Sequence, residues 1–117
     1  MSETYRFSDL SVEQLRVEAA KFKELALRAE QLGNPSEVAI NERKMQVALA
    51  YTLNPNDFKP KEIYTLTGDP GHTFKINYIN GVFAWGQRIN LLGEIYETEE
   101  ALPISLLGEI SDKKNSR

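Results

Sequence analysis

Thr73-Phe74-Lys75-Ile76-Asn77-Tyr78-Ile79-Asn80-Gly81-Val82-Phe83-Ala84-Trp85-Gly86 alternates for its first half and turns back on itself in the middle. Phe74, Ile76 and Tyr78 fall on one side of an extended chain, and Thr73, Lys75 and Asn77 on the other, so residues 73–79 read as a half-buried strand. Asn80-Gly81 is the pair most favoured in a two-residue hairpin loop, where both positions take positive φ. Residues 82–86 are the returning strand. Upstream, residues 63–67 form another strand, followed by Gly68-Asp69-Pro70-Gly71, where Pro70 at i+1 and Gly71 at i+2 fit a type II turn. Downstream, Ile95-Tyr96 is expected as a fourth strand and residues 101–107 as a fifth, with Pro103 placing that fifth at an edge or a bend.

The period before Phe58 is different. Leu10-Ser11-Val12-Glu13-Gln14-Leu15 holds a helix start, with Ser11 as N-cap, Gln14 reaching back from N3 and Leu10 stapled on Leu15. Leu15, Ala19, Phe22, Ala26, Ala29 and Leu32 then make a single stripe on a 3.6-residue period. Gly33 ends that helix, and Asn34-Pro35-Ser36-Glu37 starts a second one running to about Thr52. Val38, Met45, Ala48, Leu49 and Thr52 are its expected inner face, and a turn this short makes the helices antiparallel. Leu25, Leu27, Ile40 and Leu53 remain over. They need either the second half of the chain or a second copy of it, so a homodimer through the helical hairpin is one expectation. The expected architecture is α+β, an N-terminal antiparallel helical hairpin over 1–58 followed by a small SH3-like five-stranded β-barrel over 59–110. The two are expected to pack as one unit, with 111–117 a disordered tail.

Composition narrows the function. The chain has 117 residues, 41% hydrophobic and 26% charged, with no cysteine and one histidine. A thiolate metal site, a disulfide and cysteine-based catalysis are therefore excluded, and no cofactor is expected. No apolar run approaches the roughly 20 residues of a membrane span, and the start lacks the basic and then apolar regions of a signal peptide. A cytoplasmic location is the expectation. The net charge of -3 argues against coating nucleic acid by bulk charge. Its distribution is uneven, with a local excess of two positive charges over 59–88 and six acids without a base over 94–112.

Five stretches carry a resemblance: residues 77–88, Glu99-Glu100-Ala101-Leu102-Pro103-Ile104-Ser105-Leu106-Leu107, Ala50-Tyr51-Thr52-Leu53-Asn54-Pro55, and the two preceding helices. Together they resemble the YfhH-like family of small Gram-positive bacterial proteins over nearly the whole chain. The resemblance implies a helical hairpin on an SH3-like barrel, and it implies glycine at position 61, where this sequence has lysine. It implies no chemistry.

Among single residues, His72 is expected exposed in a turn with only Asp69 near it in sequence, and its expected role is structural or incidental. Gly68 to Gly71 lacks the spacing of a phosphate loop. Glu94, Glu97, Glu99 and Glu100 match no Ca²⁺-loop spacing. What remains is aromatic residues beside cations, the pattern that grips an extended peptide or stacks on bases. The expected binding surface is Lys59, Lys61, Tyr64, Lys75, Trp85 and Arg88, and the expected function is a non-catalytic binding or adaptor module for a protein partner. A nucleic-acid-binding regulator is the disfavoured alternative, and a small carboxylate-dependent enzyme the remote one.

Overall fold

A computed structural model describes residues 6–111, and the chain divides between Leu53 and Asn54 into two compact units. In the first, α1 spans Val12–Gln31. Its start is the expected capping box: Ser11 Oγ accepts from the Gln14 N–H at 3.1 Å, and the Ser11 N–H donates to Gln14 Oε1 at 2.9 Å. Its end is a full Schellman motif. Gly33 takes φ 71°, its N–H donates to Glu30 O at 3.1 Å, and the Asn34 N–H reaches Ala29 O at 2.9 Å. Asn34 then caps α2, Pro35–Ala50, by accepting from the Glu37 N–H.

Leu15, Ala19, Ala26 and Ala29 are buried as the stripe requires, and Phe22 is half-buried. Leu32 is 78% exposed, because it is the C-cap and lies past the last turn that presents the stripe. On α2 the buried residues are Ala48, Ala50 and Asn41. Asn41 was not expected inside; its side-chain amide donates to the Glu37 carbonyl one turn back. A short 3₁₀ turn, Phe7–Asp9, sets Phe7 edge-on to Phe22 and Tyr51, 6.4 and 6.0 Å between ring centres.

The second unit is an antiparallel sheet of β1 Ile63–Leu66, β2 His72–Asn80, β3 Phe83–Asn90, β4 Glu100–Pro103 and β5 Leu107–Ile110 in the order β4-β3-β2-β1-β5. The α+β class holds. The sheet is open: β4 and β5 are its two edges and no ladder joins them, so the expected closed barrel is not formed by strand pairing. Phe74, Ile76, Ala84 and Ile104 are fully buried, with Tyr64, Leu66, Leu102 and Leu107 around them.

Four local expectations change. Asn80 pairs with Phe83, so the hairpin loop is Gly81-Val82. Gly81 alone takes positive φ, 63°, and Asn80 remains in β2. Glycine at the first loop position is the II′ pattern, which avoids forcing a side chain into the left-handed region. Second, Ile76 faces Gly86 and Tyr78 faces Trp85, leaving Asn77 as a bulge. The extra residue breaks the alternation, and Tyr78 leaves the Phe74 and Ile76 face to become 45% exposed. Third, the turn after β1 is two turns in series: Asp69 N–H to Leu66 O, with Gly68 at φ 79°, then His72 N–H to Asp69 O across Pro70-Gly71. Gly71 does not take the positive φ of a type II turn.

Fourth, the strand expected at 95–96 is a single bridge, Ile89 to Ile95, and the strand expected over 101–107 is two, bent at Pro103 into the 3₁₀ turn Ile104–Leu106. Pro103 closes an edge strand, where its missing N–H costs no ladder bond. Of the expected tail, Ser111 is buried and its N–H donates to Ile63 O, while 112–117 lie outside the described residues.

Candidate functional site

Cross-strand partners share a face of the sheet. Phe74 and Ile76 define the core face, so their neighbours on β2 define the outer one. On that outer face Thr73 pairs with Thr65 and Ile89, and Lys75 with Ile63 and Gln87. Beyond the bulge, Tyr78 and Trp85 stack in parallel, 5.9 Å between ring centres and 5° between planes. Tyr78 is exposed and Trp85 half-buried, and Lys75, half-buried on the same face, forms no ion pair among the described residues.

The other expected surface residues are dispersed. Tyr64 is 3% exposed, tilted against Phe58 at 5.7 Å, and its hydroxyl accepts the Lys59 N–H. It belongs to the core, because a four-residue strand with one inward face has few large residues to fill it. Lys59 and Lys61 are exposed at the entry to β1. Lys61 takes φ 75°, the one non-glycine with positive φ among the described residues, which explains why the resemblance implies glycine there. Arg88 is not a free cation. Its Nε donates to Glu100 Oε2 and its Nη1 to Asp69 Oδ2, both at 2.6 Å.

Arg88 also leads to a cluster that the sequence did not disclose. His72 Nδ1 lies 3.0 Å from both oxygens of Asp69, and its Nε2 lies 2.8 Å from the Tyr96 hydroxyl. The imidazole is half-buried and held at both nitrogens, not loose in a turn. The His72 hydrogen bond, with the positive charge of Arg88 behind it, holds the Asp69 carboxyl below its ordinary range although partial burial opposes this. The Glu100 hydrogen bond raises Arg88 in the same sense. The sequence itself shows only the spacing of Asp69 and His72. Tyr96 reaches them because its N–H donates to Arg88 O beside the Ile89 to Ile95 bridge.

Next to this cluster is a cleft of about 420 Å³ with apolar walls from Ile63, Leu66, Pro70, Ile89, Leu91 and Ile95. One wall is fixed by Asn90, whose Oδ1 accepts the N–H groups of Leu92 and Glu94 and whose Nδ2 donates to Glu94 Oε1. The four glutamates in this region have separate roles: Glu94 serves Asn90, Glu99 accepts from Asn77, Glu100 from Arg88, and the Glu97 carbonyl from Gln87. Among the described residues no three or more Asp, Glu or His side chains gather as metal ligands. No helix among them is long and apolar enough to cross a membrane.

The chain is 44% identical over 104 residues to a Bacillus subtilis (strain 168) protein described as "Uncharacterized protein YfhH", covering 89% of this chain and 95% of that one. Residues 5–108 match the family described as "Protein of unknown function (DUF1811)". The match covers almost the full length of both chains and most of the hairpin and the sheet, and on that ground this chain belongs to the DUF1811 family.

Proposed function

We propose that this protein is a non-catalytic binding module that engages an extended segment of a protein partner on the outer face of its sheet. The observation that carries the reading is the Tyr78 and Trp85 stack, which leaves aromatic surface toward solvent on the face that also bears Lys75. Such a platform takes apolar or prolyl side chains, and the cation answers a carbonyl or carboxylate of the segment. An SH3-like assignment belongs to the same reading. It is supported by the meander from β1 to β4 and by the return of β5 to the side of β1 after a single 3₁₀ turn.

Two observations weigh against the alternatives. Of the four cations on the expected surface, Lys59, Lys61, Lys75 and Arg88, the last is spent on Asp69 and Glu100, so at most three can meet phosphates and the salt slope is capped at about -3 on the scale of about -0.9 per phosphate. A carboxylate-dependent enzyme that drew on Asp69 would find its carboxyl held as the anion by His72 and Arg88, against the protonated form a general acid needs. A second copy docking on the hairpin has its own support: Leu25, Leu27, Ile40 and Leu53 are 42 to 52% exposed. Sedimentation across a hundredfold range of concentration tests it. The main reading is tested by selecting random displayed peptides on the protein. Enriched sequences should bind the parent and lose at least tenfold affinity to Trp85→Ala, and no enrichment would refute the reading.

A further inference from the structure

We infer that the cleft beside His72 is a separate binding site for a small, uncharged, largely apolar molecule. Its volume, about 420 Å³, falls within the range of small-ligand sites and is far above that of a packing defect. Its walls are preformed. The Asn90 side chain fixes the 91–94 turn through three hydrogen bonds, and the Tyr96 hydroxyl ties the following residues to His72 on β2. A cleft held open in this way cannot collapse to recover its lost packing, so Ile63, Leu91 and Ile95 present apolar surface that a ligand would take from water.

The charges specify the ligand's class. Asp69 is the one carboxylate among the lining residues, and it is matched twice, by His72 and by Arg88. Arg88 is matched in turn by Glu100. No buried side-chain polar atom among the described residues lacks a partner. The site therefore holds neither an unanswered cation for an anionic ligand nor a free carboxylate for a cationic one. Inserting a charged group would cost its hydration without a counter-charge to replace it. The remaining polar lining is neutral: Thr73 carries a hydroxyl, and Thr65 Oγ1 already accepts the Glu109 N–H at 3.0 Å. The polar cluster thus does structural work, holding the loop that forms one wall.

This site lies at the end of the sheet opposite the Tyr78 and Trp85 stack and does not depend on the peptide reading. The probes are N-phenyl-1-naphthylamine, which is neutral, and 1-anilinonaphthalene-8-sulfonate, which carries the same ring systems plus an anion. The full chain should enhance the neutral dye's fluorescence saturably at one-to-one stoichiometry and bind it at least tenfold more tightly than the sulfonate. Ile95→Asp and Leu91→Asp, both at exposed positions, should each weaken the neutral dye at least tenfold while circular dichroism stays that of the parent. Val17→Asp, on the hairpin, should not. Absence of saturable enhancement, equal affinity for the sulfonate, or indifference to both cleft variants would overturn the proposal. So would displacement of the dye by self-association as protein concentration rises, which would make a second copy the occupant.

Discussion

The Nε2 of His72 and the hydroxyl of Tyr96 lie 2.8 Å apart across 24 positions of sequence, and they join β2 to the segment after β3. Because Nδ1 faces both oxygens of Asp69, the proton of the neutral ring is assigned there, and Nε2 accepts from the tyrosine. Tyr96→Phe removes that one donor. With the contact at the surface, the global cost should stay within about 1 kcal/mol. The local effect should be larger, with hydrogen exchange at residues 93–96 accelerating several-fold relative to β2. Unchanged exchange would show that the Ile89 to Ile95 bridge alone holds the segment.

Asp69 has a pH signature whose sign follows from its environment. Its folded carboxyl is held below the ordinary value by His72 and Arg88, so it contributes stability above the unfolded value, near pH 4, and loses it as pH falls through the folded value. Asp69→Asn should be less stable than the parent at pH 7, by about 1 kcal/mol after allowance for solvent screening. Urea denaturation at pH 7 and pH 3 measures the difference, which should shrink at the lower pH. A constant gap would assign the loss to packing.

Gly86 is required by space, not by φ. It faces Ile76 across the ladder, and a Cβ there would collide with the Lys75 carbonyl where the Asn77 bulge draws the two strands together. Gly86→Ala should cost about 3 kcal/mol, since backbone must move to admit it. Denaturant titration with a midpoint like the parent's would mean that the bulge is misplaced.

Lys61 offers the opposite case. A lysine at φ 75° bears a left-handed penalty of about 1 kcal/mol, partly offset by the chain entropy that glycine adds to the unfolded state. Lys61→Gly should raise stability by about 0.5 kcal/mol, seen as a rise of a few degrees in Tm. A fall would show that the side chain makes a contact stronger than the strain.

The parts of the fold that were legible in the sequence are those that local chemistry determines. Ser11 with Gln14, and Gly33 with Asn34, fixed both helix boundaries because caps and Schellman turns are built from neighbouring residues. The hairpin was legible to within one residue, and the shift from Asn80-Gly81 to Gly81-Val82 reflects a choice between two turn classes that a single glycine satisfies. Alternation alone places Tyr78 on one face with Phe74 and Ile76, because it does not announce a bulge. Tyr64 and Trp85 were indistinguishable as strand aromatics, since only the register decides which one lies inside. The His72, Asp69, Tyr96, Arg88 and Glu100 cluster was invisible for a related reason: it joins four segments, and its last partner lies where the periodicity fails.

The central claim, that the outer face of the sheet takes an extended segment of a protein partner, is tested most directly by titrating ¹⁵N-labelled protein with a peptide selected against it. The account predicts shifts concentrated at Lys75, Tyr78, Trp85 and Gln87, the residues that share that face beyond the cleft, with the Trp85 indole among the largest. Shifts confined to the hairpin over Val12–Gln31 and Pro35–Ala50, with the Trp85 indole unmoved, would contradict it.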